Sequence, residues 1–99
     1  MEYWFFVMAI LKGDPSYGYK IVNDLNDYLS ITESTLYPIL RRLEAAGKLS
    51  TFNELFPGRN RKYYALTRDG EIELERFISE WDDIRKISII LSKKNNQKD

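Results

Sequence analysis

Ninety-nine residues, 43% hydrophobic and 30% charged, make about one domain and do not read as a disordered chain. The 15 basic and 15 acidic residues cancel, so a charged partner has to be met by a local patch and not by the chain as a whole. Cysteine and histidine are absent, which excludes a disulfide framework, the commonest metal ligands, the usual general base and a thiolate nucleophile.

The chain opens with EYWFFVMAILK, a short helix predicted over Glu2 to Lys12 and stopped by Gly13-Asp14-Pro15. Its apolar run, Tyr3 to Leu11, is about half a membrane span, and Glu2 stands where a secretion signal carries basic residues. A cytoplasmic protein with no membrane partner is expected. On a 3.6-residue wheel this helix is apolar all round, so it needs cover on more than one side. A domain this small supplies one cover; a second copy of the chain is expected to supply the other.

Ser16 is predicted to cap a second helix, Tyr17 to Leu29, with Ile21, Leu25 and Leu29 as its core stripe. After a short connection at Ser30 and Ile31, a third helix runs from Glu33 to Ala46, capped by Thr32 or Ser34 and stopped by Gly47. Leu36, Ile39, Leu40 and Leu43 form its core stripe, and Pro38 removes one of its backbone donors. Leu49 to Phe56 and Lys62 to Leu66 are predicted strands, joined through a basic tip, Pro57-Gly58-Arg59-Asn60-Arg61. Thr67 caps a last helix that extends to Lys93.

Three regions follow: a winged helix-turn-helix over 1–67, a dimerisation helix over 68–93, and a disordered tail over 94–99. The fold class is mainly α with a β-hairpin wing, an α+β winged helix-turn-helix plus one C-terminal helix. In this arrangement the second helix of the pair enters the major groove, and the hairpin reaches the backbone or minor groove.

Charge is polarised along the chain. Between Ser34 and Arg68, seven basic residues stand against Glu44 and Glu54, a balance of +5; between Asp69 and Asp83, seven acids stand against Arg76, a balance of −6. Opposite the leucines of the third helix lie Ser34, Pro38, Arg41 and Ala45, flanked by Tyr37 and Arg42. Small residues allow close approach to bases, and arginine can grip guanine with two hydrogen bonds. Arg59, Arg61 and Lys62 supply attraction through counterion release. Each signal also has a plain structural reading: a solvated arginine pair, a half-buried packing tyrosine, a charged edge that resists aggregation.

The strings Tyr17-Gly18-Tyr19-Lys20-Ile21, Ser34-Thr35-Leu36-Tyr37-Pro38-Ile39-Leu40-Arg41-Arg42-Leu43-Glu44 and Gly58-Arg59-Asn60-Arg61-Lys62-Tyr63-Tyr64-Ala65-Leu66-Thr67 resemble the PadR family of bacterial transcriptional regulators. The resemblance implies a homodimer that represses transcription at a palindromic operator. It also implies DNA contacts by Lys20, Ser34, Thr35, Tyr37, Pro38, Arg41 and Arg42, and by Arg59, Asn60, Arg61 and Lys62 of the wing. Asn60 stands where a proline or glycine is usual, and the single C-terminal helix matches the short-tailed branch.

In the last helix Leu74, Phe77, Trp81, Ile84, Ser88 and Leu91 step by three and four residues, a heptad seam that Ile78, Ile87 and Ile90 widen. Trp4, Phe5, Met8, Leu74, Phe77, Ile78, Trp81, Ile84, Ile87 and Leu91 are therefore expected at a dimer interface. Trp81 reads first as an interface anchor. The resemblance also implies a pocket for a small aromatic effector at Trp4, Met8, Ile78, Trp81 and Arg85. No metal or cofactor is expected. Nucleotide-binding glycine loops are absent and the carboxylates scatter around one helix, so the chain is not read as an enzyme. The alternative is a winged-helix module that binds protein and reads no DNA sequence.

Overall fold

The computed structural model describes residues 3–96, the Phe56 side chain excepted. Its elements are α1 (Trp4–Ile10), β1 (Ser16–Tyr17), α2 (Gly18–Leu25), α3 (Glu33–Ala45), β2 (Leu49–Phe56), β3 (Arg59–Leu66) and α4 (Arg68–Asn96). The three strands form an antiparallel sheet in the order β1-β3-β2. This is the α+β winged helix-turn-helix expected from the sequence. Among the described residues no helix is long and apolar enough to cross a membrane.

One core organises these elements. Val7, Met8 and Leu11 of the first helical turn-and-stop, Ile21 and Leu25 of α2, and Leu36, Leu40 and Leu43 of α3 converge on Leu49, Tyr64 and Leu74. Removal of each such leucine from water stabilises the fold by about 1.5–3 kcal/mol. Spacing explains the choice: 36, 40 and 43 share one helix stripe, which leaves 34, 38, 41, 42 and 45 exposed.

Several boundaries differ from the expectation: α1 ends at Ile10 and not Lys12, α3 at Ala45 and not Ala46, and others shift further. The predicted start at Glu2 and the tail residues 97–99 lie outside the described residues. Ser16 does not cap α2: with Tyr17 it pairs to Tyr64 and Tyr63 of β3, and its Oγ is buried with no partner among the described residues. The helix then starts at Gly18. It ends at Leu25, not Leu29, because the Asn26 side chain donates to the carbonyls of Val22 and Ile31 (2.7 and 3.0 Å) and so captures the backbone on both sides of the turn. The wing turn is only Pro57-Gly58, with Gly58 at φ +81°, so Arg59, Asn60 and Arg61 belong to β3 and not to a loop. At the far end α4 continues to Asn96, past the predicted stop at Lys93, so residues 94–96 are helical.

The junctions around α3 are tightly made. Thr32 accepts from the Thr35 N–H at its start. At its end Gly47 (φ +76°) lets the Lys48 N–H reach the Leu43 carbonyl at 2.8 Å and its own N–H reach Glu44 at 3.0 Å, a Schellman closure. The Thr67 hydroxyl donates to the Gly47 carbonyl (2.7 Å) and accepts from the Gly70 N–H (3.0 Å), which pins the start of α4 to the end of α3.

The expected interface residues divide into two sets. Met8 is fully buried in the chain's own core and Leu74 nearly so, which takes both out of any surface and takes Met8 out of an effector pocket. Phe5 stacks on Phe77 of the same chain with ring centroids 3.7 Å apart. Part of the cover that α1 needs thus comes from α4 of its own chain. Trp4 packs beside it, its Nε1 buried without an acceptor among the described residues. Ile78, Trp81, Ile84, Ile87 and Leu91 are more than half exposed.

Candidate nucleic-acid interface

The surface opposite the α3 leucines is small and cationic. Ser34, Thr35, Pro38, Arg41 and Arg42 are all exposed, and no carboxylate among the described residues pairs with either arginine. Pro38 lies inside the helix on this outward side. The carbonyl it fails to bond, that of Ser34, therefore faces solvent rather than core, which keeps the cost low. Thr35 serves the cap as well, its hydroxyl 3.3 Å from that of Thr32.

Tyr37 is half-buried, because its ring lies across Gly18 at the first turn of α2. A Cβ at position 18 would fall 2.8 Å from the ring Cζ, so only glycine permits the contact. Burial, then the charge of Glu33 and the neighbouring Tyr64, raises the Tyr37 pKa above its ordinary value. The hydroxyl keeps its proton and remains a donor.

The wing cations sit in different environments. Arg59 and Asn60 are exposed. Arg61 places its guanidinium 4.3 Å from the Tyr17 ring centroid. Lys62 pairs with Glu44 of α3 at 3.6 Å and lies 5.5 Å from the Tyr64 ring centroid. Glu44 also accepts from the Thr51 hydroxyl at 3.1 Å, so one carboxylate joins α3 to both wing strands. Lys20 on α2 pairs with Asp24 at 2.9 Å; that hydrogen bond, with the charge behind it, raises its pKa and keeps it cationic.

Between α2, α3 and β3 lies an open cleft of about 470 Å³, walled by Tyr17, Tyr19, Tyr37, Arg59, Arg61 and Lys62 among others. The structure thus brings the wing cations and Tyr37 to one hollow, with Arg41 and Arg42 on the outward side of α3. Tyr17 and Tyr19 of that wall were missed by periodicity. Their signal was weak, a Tyr-Gly-Tyr string that alternates as a strand does while sitting at a helix start.

Relatives were found at two levels. A family model described as the transcriptional regulator PadR-like family matches residues 7–76. A PadR family transcription regulator from Clostridium difficile is 29% identical, with 91% of this chain and 98% of that chain covered, at a TM-score of 0.81. A Streptococcus mutans protein is 41% identical, covers 97% of this chain and 90% of its own, and gives a TM-score of 0.77. Bacillus subtilis PadR, solved in complex with operator DNA, is 22% identical over 76% of this chain and 45% of that one; its TM-score of 0.71 speaks for the fold alone.

Proposed function

We propose that this chain, which belongs to the PadR-like family of transcriptional regulators and not to a family of enzymes, acts as a homodimeric repressor at a palindromic operator in the cytoplasm. Each α3 enters a major groove, where Arg41 and Arg42 face base edges and Ser34, Thr35, Tyr37 and Pro38 line the approach. Arg59, Asn60, Arg61 and Lys62 meet the adjoining backbone, and Lys20 adds a flanking phosphate contact. The observation that carries this reading is the exposed, carboxylate-free Arg41–Arg42 pair on a helix whose other side is locked into the core. Operator DNA bound to Bacillus subtilis PadR, a relative with the same fold, supports it.

Dimerisation is supported by α4. Beyond Phe77 its described residues are exposed or half-exposed, yet they include Ile78, Trp81, Ile84, Ile87, Ile90 and Leu91. An apolar stripe of this length, on the part of α4 that runs on exposed past its contacts with α1 and the core, calls for a second chain. The division into a reading unit, 1–67, and a dimerisation helix, 68–93, belongs to the same reading, with the first turns of α4 shared between them through Leu74 and Phe77. An aromatic effector, in this reading, lies between two chains against Trp4, Ile78, Trp81 and Arg85, without Met8. Saturable quenching of tryptophan fluorescence by planar aromatic compounds tests that part.

Selection of bound sequences from random duplex DNA tests the whole. Recovery of a palindrome with half-sites about 34–36 Å apart is expected. No enrichment over the input pool would remove the DNA reading in favour of a winged-helix module that binds protein.

A further inference from the structure

One aromatic row crosses the outer face of the wing sheet. Tyr17 pairs with Tyr63, and Tyr63 with Phe52, so the three side chains stand abreast on the same face. The Phe52 and Tyr63 rings stack at 5.3 Å and 13°, and Tyr17 meets Tyr63 edge-on at 5.4 Å and 63°. Arg61, two residues before Tyr63, shares that face and rests its guanidinium on the Tyr17 ring. Tyr17 belongs to two units at once, because it is also the residue that precedes α2 and starts it.

We propose that Tyr17 is a positioning residue for DNA binding: its ring holds the Arg61 guanidinium in place before DNA arrives and ties the wing to the helix pair. The inference rests on the DNA-binding reading above and names the residue that sets one wing cation. An arginine that meets a phosphate loses much rotamer freedom, and part of that loss is removed if the side chain is already ordered. A ring does this differently from a carboxylate. Glu44 orders Lys62 but offsets its charge, whereas the Tyr17 face attracts Arg61 through its quadrupole and brings no opposing charge of its own.

The test is a double-mutant cycle read as affinity of the whole protein for a mixed-sequence DNA duplex in dilute buffer. Tyr17→Leu is expected to weaken binding about three- to fivefold when Arg61 is present and to change nothing in the Arg61→Ala background. Tyr17→Phe, which keeps the ring, should bind within about twofold of the natural protein. An equal loss from Tyr17→Leu in both backgrounds overturns the inference and leaves the DNA reading standing. A natural protein that ignores the duplex altogether overturns that reading first. Should Tyr17→Leu fail to fold, the natural protein alone decides. An Arg61 Nε–H resonance that is ring-shifted and ordered without DNA supports the inference, and one as mobile as a solvated arginine overturns it.

Discussion

At the scale of single residues, two glycines show how space can be read as function. A Cβ on Gly70 would meet the Lys48 carbonyl and the Leu66 side chain, 3.2 Å from its Cγ, where backbone cannot yield. Gly70→Ala should therefore cost about 1–3 kcal/mol, visible as a lower midpoint in thermal or denaturant unfolding. On Gly18 the same atom meets only the far end of the Tyr37 side chain, which can swing away. Gly18→Ala is expected to leave the unfolding midpoint nearly unchanged and to weaken DNA binding, since Tyr37 is then displaced from the cleft. Equal loss of stability in the two variants would contradict this separation. Arg41→Ala works by neither route: it removes an exposed, unpaired group and should weaken operator binding by about 1–3 kcal/mol while stability stays within about 0.5 kcal/mol. Titration of duplex against each folded variant checks both statements.

At the scale of elements, most of the apolar stripes of α2 and α3 was legible because a 3.6-residue period needs nothing beyond its own helix. Leu29, however, falls past the end of α2, and Ile39 is only partly buried. Leu36, Leu40 and Leu43 are buried as the wheel requires. Boundaries set by distant partners were not legible. Ser16-Tyr17 reads as a cap and first turn, yet β3 claims the pair from nearly fifty residues away. The end of α2 depends on Asn26, whose amide bridges Val22 and Ile31; the same residue read on a wheel is only a polar position. Asn26→Ala should leave those carbonyls without that donor and cost about 1–2 kcal/mol in unfolding free energy. Faster amide exchange confined to residues 26–32 would accompany it, and a uniform change across the chain would argue against the assigned role. The site was legible in its residue types and less so in its arrangement. Arg61 and Lys62 are sequence neighbours, but strand alternation sends one to Tyr17 and the other to Glu44.

At the scale of the whole molecule, a reading unit whose positive charge is concentrated in α3 and the wing is joined to a long helix that begins acidic and carries an apolar stripe from Ile78 to Leu91. The longest dimension is 69 Å, and α4 with its 29 residues accounts for about 44 Å of helix. This shape makes stoichiometry the first quantity to measure. Ile84→Glu places a charge on a side chain that is 54% exposed in the single chain, so the monomer fold should not suffer. Inside a paired seam the same charge is unpaired and desolvated, and sedimentation should show a loss of dimer mass. Salt dependence then counts the same dimer from the DNA side. Each phosphate contact contributes about 0.9 to the slope of log affinity against log salt. Arg59 is exposed and has no ion-pair partner among the described residues. If one chain binds, Arg59→Ala lowers the slope by about 0.9; if two chains bind through equivalent wings, one substitution removes two contacts and the slope falls by about 1.8. The pair of measurements is coupled: in the Ile84→Glu background the Arg59 decrement should shrink from the larger value to the smaller. A decrement near 0.9 in both backgrounds would mean that a single chain meets the DNA, and the twofold arrangement would have to be given up.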